Sequence, residues 1–581
     1  MNRIDSGTYK IDGILNKSYS YIIPIYQRDY AWQNKQYRYF YEHIIEHMEN
    51  MYGKEYFMGF LIFKCCNDGI YIVDGQQRLT TISLLLKAIQ IRMTELNNEY
   101  QYEIKTMLLH KGRTNEMPII THHTIDTNDY CSIMQKDVAI NNNSKISQAF
   151  NFFKKQLNGK DVTFLERLFD YISTNLTFQV SALSSDVDEF EIFQNINSSG
   201  KPLTPGEMWY NSLFMFLNGA NDYYEKLSKI KVTGDEDLTF FIKCWYFSYT
   251  GKMVGRSYDS IIKPLNEILQ KTNKDIFLDQ LIEFSDLYHS ILSQNFNGLS
   301  DKMVNYLRNS FIDRDEFKMF VMHVIYSNSK RIKPFTDNFL IGILKTFEKI
   351  LLRECICNHT WLFHIFDNMT FEKITDNVEE AQLDECVKNM VTLIEDIHHS
   401  YFGGINARTK HIIPNNEEFA EALKDISLYT KRNGIAAYTL AKIAEEMNHN
   451  NKECYDILWR LKNKHLTIEH IIPQKVTKEW EDMLGESCSY IYENKIHNLS
   501  NLTITAYNSE YSNKPFNVKV TMQHGYKDSI YNMTNFLAKF EKFGLKEMQQ
   551  REEEMVDAAL NYCNIPFLDE IHEKKKQVFD K

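Results

Sequence analysis

The stretch Asp74-Gly75-Gln76-Gln77-Arg78 combines a carboxylate, two side-chain amides and a guanidinium in consecutive residues. An apolar run ends directly before it. Residues 57–63 and 70–73 have the composition of two strands, and Asn67-Asp68-Gly69 between them is a turn signal. The sequence therefore predicts that residues 74–78, here called the DGQQR turn, follow the second strand of a hairpin.

A long amphipathic helix is predicted after the DGQQR turn, because apolar residues recur at helical spacing from Leu79 to Met93. Thr80 or Thr81 is the predicted N-cap. Backbone N–H groups at a helix start lack intrahelical partners, and the helix dipole favours an anion there. Two glutamines and an arginine at that place suit phosphate and sugar oxygens. The alternative, a turn with a structural Arg–carboxylate pair, fits the local pattern equally well.

A second polar cluster lies near the other end of the chain. Glu469 and His470 end a strand-like run that Pro473 stops, Asn501 lies on a second strand-like segment, and Asn508 follows it. If two strands and a helix bring these side chains together, their oxygens suit a hard cation such as Mg²⁺. A neutral imidazole beside that cation can take a proton from water, as phosphodiester hydrolysis requires. Taken singly, each of these residues is more often structural.

The composition is that of an ordinary soluble protein, since 43% of the 581 residues are hydrophobic and 25% are charged. No apolar run is long enough to cross a bilayer and residues 1–5 lack a signal-peptide pattern, so we expect a cytoplasmic protein. The net charge of −11 argues against general coating of nucleic acid, and a DNA contact is expected to be local. The cysteines are scattered, and Cys355-x-Cys357-x-His359 lacks zinc-knuckle spacing, which favours core cysteines.

The predicted fold class is α+β and predominantly helical, in three successive regions. Residues 1–215 mix strands and helices, residues 216–440 read as helix after helix, and residues 441–581 hold the second polar cluster. Within the first region, Pro24 places residues 23–32 in a loop rich in aromatic and polar side chains. The middle region is interpreted as a helical connection between two functional ends.

The two ends of the chain resemble a known family. Glu-His-Ile-Ile-Pro-Gln at 469–474, Ile-His-Asn-Leu-Ser-Asn-Leu-Thr at 496–503 and the segment from Asn508 resemble the HNH (His-Me finger, ββα-metal) nuclease domain of GmrSD-like proteins. Residues 23–32, 73–81 and 193–204 resemble the partner domain of that family, which is ParB/sulfiredoxin-like. The three N-terminal motifs in order, followed by the HNH motif, are together highly specific.

The resemblance implies a modification-dependent (type IV) restriction endonuclease that cuts phage DNA. His470 would be the general base, with Asn501 and Asn508 as the other catalytic residues, and Glu469, Asn501 and Asn508 would hold Mg²⁺ or Mn²⁺. Serine stands at position 500 where the family usually has glycine, which leaves Asn498 or Asn501 as the middle HNH residue. Asn501 is favoured because Asn-Leu-Thr-Ile fits the family's strand better.

The resemblance also assigns a nucleotide- or phosphate-binding site to the N-terminal domain, with a nucleoside triphosphate as substrate or effector. No Walker A lysine motif is present, so a P-loop is excluded. Double-stranded, modified phage DNA is the implied partner, no membrane is involved, and homo-oligomerisation is left open. The residues that match the family's two N-terminal motifs are Tyr26, Gln27, Arg28, Asp74, Gln76, Gln77 and Arg78.

Two other functions remain compatible with the sequence. One is a regulatory, ParB-like DNA-binding protein with an inactive nuclease end, which the intact Glu469, His470, Asn501 and Asn508 oppose. The other is an RNA-cleaving nuclease of abortive infection, because a ββα-metal site attacks the phosphodiester and is indifferent to the 2′-OH.

Overall fold

The structure is a computed structural model, and it divides the chain into two compact units. The first comprises Met1–Ala220 with Ser257–Gln270, and the second comprises Asn221–Arg256 with Lys271–Lys581. The structure describes the following residues: 4–16, 18–24, 27, 29–50, 53–66, 68–111, 116–122, 126–184, 209, 213, 226, 230, 235–253, 258–357, 366, 369–401, 413–431, 434–449, 451 and 454–579.

The first unit is built on a mixed sheet. Its strands are β1 (Gly7–Lys10), β2 (Tyr21–Ile23), β3 (Tyr56–Cys65), β4 (Ile70–Asp74), β5 (Leu109–Lys111), β6 (Glu116–Pro118), β7 (Ile120–His122) and β8 (Leu176–Leu183). Its helices are Ile11–Ile14, Asn34–Asn50, Gln76–Glu95, Tyr100–Leu108, Thr127–Lys136, Lys145–Leu157, Val162–Asn175 and Tyr258–Lys271, the last ending at the unit boundary.

Six of these strands form one sheet in the order β1-β8-β3-β4-β2-β7, and β5 pairs with β6 separately. β3 and β4 form the predicted antiparallel hairpin, whereas β8 joins the sheet in parallel with β3 from far along the chain. β2 lies parallel to both β4 and β7. The sheet therefore places the end of β4, where the DGQQR turn begins, near its middle.

The helix Gln76–Glu95 is the central helix of this unit. It packs against the helices Tyr100–Leu108, Lys145–Leu157 and Val162–Asn175. Consequently Leu84, Leu85 and Leu86 are all fully buried, and the helix is covered on most sides rather than amphipathic. Full burial of one such leucine stabilises the fold by roughly 1.5–3 kcal/mol.

The predicted start of this helix was wrong. The helix begins at Gln76 after Gly75, so Thr80 and Thr81 lie inside it and neither is the N-cap. Thr81 Oγ1 instead donates a hydrogen bond to the carbonyl oxygen of Gln77, one turn earlier. Residues 76–78 are thus the first turn of a helix, not a loop.

The second unit is mostly helical, as predicted. Its helices are Asp235–Thr250, Lys274–Leu292, Asp301–Arg308, Asp315–Ser329, Asp337–Ile356, Phe371–Ile374, Leu383–Tyr401, Asn416–Asp425, Ile435–Met447, Ile457–Lys462, Lys478–Leu484, Cys488–Asn494, Asn508–Tyr511, Phe516–Thr521, Asn532–Asn535, Leu545–Tyr562 and Leu568–Phe579. Short 3₁₀ turns lie at Leu428–Thr430, Gly485–Ser487, Leu499–Asn501, Tyr526–Asp528 and Phe536–Lys539.

The second unit also contains an antiparallel hairpin, formed by β9 (Thr467–His470) and β10 (Leu502–Thr505). His470 lies opposite Leu502, and the helix Asn508–Tyr511 follows β10. Asn501 lies in the 3₁₀ turn before β10 rather than on the strand.

The fold class is the predicted one, a predominantly helical α+β protein with a mixed sheet in its N-terminal part. Among the helices that the structure describes, none combines the length and the apolar character needed to cross a membrane.

Candidate functional site

The DGQQR turn depends on Gly75, which has a φ of 99°. Left-handed backbone of this kind is costly for a residue that carries a Cβ atom. A Cβ atom built on Gly75 would also lie 2.1 Å from Cδ2 of Leu61 on β3. Gly75 therefore lets β4 pass directly into the helix while the turn stays close to the sheet.

Arg78 is anchored to the strand β3. Its Nη1 donates to the carbonyl of Met58 at 2.9 Å, and its Nη2 donates to the carbonyl of Phe60 at 2.7 Å and to Oδ2 of Asp74 at 3.2 Å. Burial lowers the pKa of Arg78, and the Asp74 carboxylate opposes that shift. The structural Arg–carboxylate pair that the sequence left open is thus present, with 23% of the Arg78 side chain and 35% of the Asp74 side chain exposed.

Two glutamines join described residues of the motif at 23–32 to the end of β4 and to the DGQQR turn. The Nε2 of buried Gln27 donates to the carbonyl of Val73 at 2.7 Å. Oε1 of Gln77 accepts the N–H of Ala31 at 2.8 Å, and its Nε2 donates to the carbonyl of Asp29 at 3.2 Å. Gln27 and Gln77, two of the three predicted phosphate-binding glutamines, are therefore engaged with backbone, and they bring the first two N-terminal motifs together.

Asp126 also binds the motif at 23–32, through the backbone of Tyr30, and this role was not predicted from the sequence. Its Oδ2 accepts the backbone N–H of Tyr30 at 2.6 Å. Burial raises the pKa of Asp126 to about 7, the Tyr30 N–H opposes this shift, and Asp29 and Asp129 add to it. No local pattern marks this residue, because its partner lies 96 positions earlier.

The remaining predicted residues of this site are placed less fully. Gln76 is buried at the start of the helix. Tyr26 and Arg28 lie outside the described residues, as does the third motif at 193–204.

An exposed aromatic pair lies beside Arg78. Phe57 and Phe60 are 54% and 60% exposed, and their rings meet edge to face with centroids 5.6 Å apart. They flank a bulge in β3 at which Gly59 has a φ of 100°. Because Arg78 binds the carbonyls of Met58 and Phe60, the same guanidinium fixes this bulge.

His470 ends β9 with both imidazole nitrogens in contact with other side chains. Its Nε2 lies 3.1 Å from Nδ1 of His497, and its Nδ1 lies 3.2 Å from Nε2 of Gln474. Burial, reinforced by His497 and Lys519, lowers the pKa of His470 to about 4. The imidazole is therefore neutral at pH 7, which is the state that can accept a proton.

Tyr429 packs on both histidines. Its ring stacks on His497 at an interplanar angle of 12° and meets His470 edge to face with centroids 4.4 Å apart. The backbone N–H of Tyr429 also donates to the carbonyl of His497 at 3.1 Å. The three rings form one cluster at the end of the hairpin.

Glu469 does not share this cluster, because successive strand residues point to opposite faces of a sheet. Its Oε1 accepts Nζ of Lys519 at 2.7 Å and the hydroxyl of Tyr526 at 3.2 Å. The Lys519 and Glu469 side chains are 0% and 4% exposed. Burial raises the pKa of Glu469 and Lys519 opposes that shift. The predicted metal ligand thus forms a buried ion pair.

Asn501 is fully buried and holds backbone. Its Oδ1 accepts the N–H of Ile472 at 2.8 Å, and its Nδ2 donates to the carbonyls of Ile472 and Ile496. It therefore ties the residues after His470 to the residue before His497. Asn498, the other candidate for the middle position, donates instead to the carbonyl of Lys424.

Asn508 opens the helix after β10 and is half-buried. Its Nδ2 donates to the carbonyl of Ile468 on β9 at 2.8 Å. This contact uses the nitrogen of the side-chain amide and leaves Oδ1 as the oxygen that could face a cation. Among the described residues, no cluster of three or more His, Cys, Asp and Glu side chains could hold a metal ion.

Four neighbours of His470 were not assigned a role from the sequence: Gln474, His497, Tyr429 and Lys519. His497 lies inside the quoted segment 496–503, so its place four positions before Asn501 was the available signal. Tyr429 and Lys519 are 41 and 49 positions from His470 in the sequence and follow no local pattern.

Two family descriptions match this chain, and each matched range contains one of the two sites just described. Residues 11–214 match "GmrSD restriction endonuclease, N-terminal domain", and residues 413–558 match "GmrSD restriction endonucleases, C-terminal domain". No curated protein matches the chain. The two ranges together cover more than half of the 581 residues and include the DGQQR turn as well as His470. The chain therefore belongs to the GmrSD restriction endonuclease family.

Proposed function

We propose that this protein is an anti-phage endonuclease that cuts modified double-stranded DNA at the end of the β9–β10 hairpin. The observation that carries the proposal is the neutral His470, which the hairpin holds within a cluster of ordered side chains. Family membership supports DNA as the substrate.

His470 is the general base in this proposal. It takes a proton from a water molecule, the water oxygen attacks the phosphorus, and the opposite P–O bond breaks with its electron pair on the leaving oxygen. Asn501 acts through the backbone that it holds at Ile472 and Ile496. We therefore assign Asn501 a positioning role in place of metal binding.

A Mg²⁺ or Mn²⁺ ion fits the predicted ligands in part. Oδ1 of Asn508 is a suitable oxygen ligand, whereas Glu469 and Asn501 are turned to internal partners. Mg²⁺ commonly keeps several waters and binds substrate phosphates, so few protein ligands suffice. When bound, the ion would stabilise the negative charge on the phosphoryl group and on the leaving oxygen. Glu469 is assigned here to fixing Lys519.

The nuclease is gated, in this proposal, by nucleotide binding or hydrolysis at the DGQQR turn. The partly exposed Arg78 guanidinium suits phosphate oxygens. The adjacent Phe57 and Phe60 offer exposed faces on which a base can stack, a contact worth roughly 1–3 kcal/mol. Asp74, Gln77 and Gln27 hold the turn and the neighbouring motif in place, while Gln76, Tyr26 and Arg28 retain the roles that the resemblance gives them.

Cleavage of phage DNA with and without base modification, in the presence of Mg²⁺, tests the nuclease proposal. Wild type should cut modified DNA, and His470→Ala should cut about 10²- to 10⁴-fold more slowly. His465→Ala is the matched control, because His465 is an exposed histidine just before β9 that stacks on Trp459. Equal cutting by wild type and His470→Ala would contradict the assignment. A parallel RNA substrate distinguishes an RNA-cleaving nuclease.

Turnover of ATP and GTP, measured with and without modified DNA, tests the gating proposal. Arg78→Ala should reduce turnover at least about 10-fold, since a charge-assisted phosphate contact is lost. Arg92→Ala is the control, because Arg92 lies in the last turn of the same helix and pairs with Glu95 at 2.6 Å. If both variants turn over nucleotide like wild type, the DGQQR turn is not the nucleotide site.

A further inference from the structure

His470 is restrained at both ring nitrogens. An imidazole can rotate and exchange tautomers unless its hydrogen-bond partners fix it. His497 contacts Nε2 and Gln474 contacts Nδ1, and the planes of the two imidazoles stand 81° apart. The short distance of 3.1 Å between Nε2 of His470 and Nδ1 of His497, with ring centroids 5.2 Å apart, is that of a hydrogen bond between the two imidazoles.

His497 is itself held from two directions. Tyr429 stacks on its ring and donates a backbone N–H to its carbonyl. On either side of His497, the Lys495 ammonium and the Asn498 amide both donate to the carbonyl of Lys424. The segment around His497 is thus fixed to the end of the helix Asn416–Asp425, and its imidazole has a defined place.

We propose that His497 is the positioning residue for His470: Nδ1 of His497 accepts the Nε2–H of His470, which keeps the electron pair of His470 on its Nδ1, where the attacking water takes the place of Gln474 and gives up its proton. Tyr429 positions His497 for this task. The inference rests on the proposed function, in which His470 is the general base. It adds a residue that acts through His470 without touching the substrate.

Two substitutions separate the hydrogen bond from the packing. His497→Phe keeps an aromatic ring beneath Tyr429 and removes the nitrogen. His497→Asn removes the ring but keeps an amide near the position of Nδ1, which can donate or accept. If His497 acts only as a packed ring, Phe should replace it; if it acts through Nδ1, Asn should.

The kinetic test measures kcat and KM for DNA cleavage at saturating Mg²⁺. His497→Phe should lower kcat by about 10- to 100-fold, because a misplaced catalytic group costs rates of that order, with KM unchanged. His497→Asn should keep kcat within about threefold of wild type. His465→Phe and His465→Asn are controls at a histidine outside the cluster. Wild-type kcat in His497→Phe, or an equal loss in both His497 variants, would overturn the proposal.

A spectroscopic test does not depend on activity. In metal-free protein labelled with ¹⁵N-histidine, the His470 signals are identified by their loss in His470→Ala. Wild type and His497→Asn should show two well-separated ring-nitrogen signals, as a single tautomer gives, whereas in His497→Phe they should move toward each other. Unchanged signals in His497→Phe would refute the proposal. Failure of wild type to cut DNA would instead refute the proposed function and leave this result to decide the role of His497.

Discussion

At the scale of single residues, Gly75 and Gly159, two of the glycines with positive φ, allow a matched comparison. Both have positive φ, but a Cβ atom on Gly75 would meet Leu61 at 2.1 Å, whereas one on Gly159 would meet nothing within 4 Å. Gly159→Ala should therefore cost only backbone strain, about 1–2 kcal/mol. Gly75→Ala should add an overpacking cost of about 1–3 kcal/mol. Urea unfolding should show the larger loss for Gly75→Ala, and equal losses would contradict the packing described here.

His323 makes the stability of the second unit depend on pH. The ring is buried, its Nε2 accepts the N–H of Phe371 at 2.7 Å, and burial lowers its pKa from 6.5 to about 3. Below pH 6.5 the unfolded chain takes up a proton at this residue while the folded chain does not, so stability is lost as pH falls. The loss between about pH 7.5 and 5.5 should be about 1.4 kcal/mol.

His323→Gln removes this titration while retaining an oxygen that can accept the Phe371 N–H. Its free energy of unfolding should fall less than that of wild type over the same pH range, and the difference isolates His323 from the other titrating groups. Parallel pH profiles for the two proteins would mean that His323 has the same pKa in the folded and the unfolded protein, which would contradict the lowered pKa.

At the scale of elements, a buried ion pair fixes β9 to the helix Phe516–Thr521. Lys519 on that helix donates to Glu469 and also to the carbonyls of His470 and Ile471. Removing one partner of such a pair leaves an uncompensated charge, so Lys519→Met and Glu469→Leu should each cost about 3–5 kcal/mol.

The double variant Lys519→Met/Glu469→Leu tests whether the pair acts as a unit. It should lose less stability than the two single variants combined, because both charges are removed together, with a coupling energy of at least about 1 kcal/mol. Additive losses within experimental error would show that the two side chains do not interact.

The elements themselves were predictable where the pattern is local. The β3–β4 hairpin was predicted because two apolar runs flank a turn signal, and the helix after it because its apolar residues recur at helical spacing. The predicted N-cap was wrong because Thr80 or Thr81 was chosen in place of Gly75. The insertion of β8 between β1 and β3 was not predictable, because such pairing depends on residues more than 100 positions apart.

Of the candidate site, too, only the features that depend on local sequence could be predicted. His470 and the asparagines were proposed as site residues from short motifs, which record residue type and spacing, and their roles stay predictions. The direction in which each side chain points could not be predicted from these motifs. Glu469 turns to Lys519, and Asn501 to two backbone segments, because of partners that local sequence does not reveal. Tyr429 was missed for the same reason.

At the scale of the whole molecule, the helical middle of the chain and its nuclease end share one compact unit. Arg353, fully buried on the helix Asp337–Ile356, donates to the carbonyls of Pro414 and Cys563 and to the side chain of Asn416. Farther along, Lys462 pairs with Asp313 at 2.8 Å. The domain boundary predicted between residues 440 and 441 stays a prediction. The contacts of Arg353 with Cys563 and of Lys462 with Asp313 join residues on either side of it.

Arg353→Met tests whether these two parts of the second unit are stabilised together. Methionine is similar in length to arginine but cannot donate a hydrogen bond. The carbonyls of Pro414 and Cys563 are then buried without a donor, which should lower the free energy of unfolding by about 1–3 kcal/mol each. We expect the second unit to unfold as one cooperative unit. Hydrogen exchange should therefore speed up at residues 466–472 of the hairpin as well as around residue 353. Arg308→Met, at an exposed position on the helix Asp301–Arg308, is the control and should exchange like wild type. Faster exchange confined to the neighbourhood of residue 353 would mean that the nuclease end is stable without the helical middle, and that the two are separate folding units.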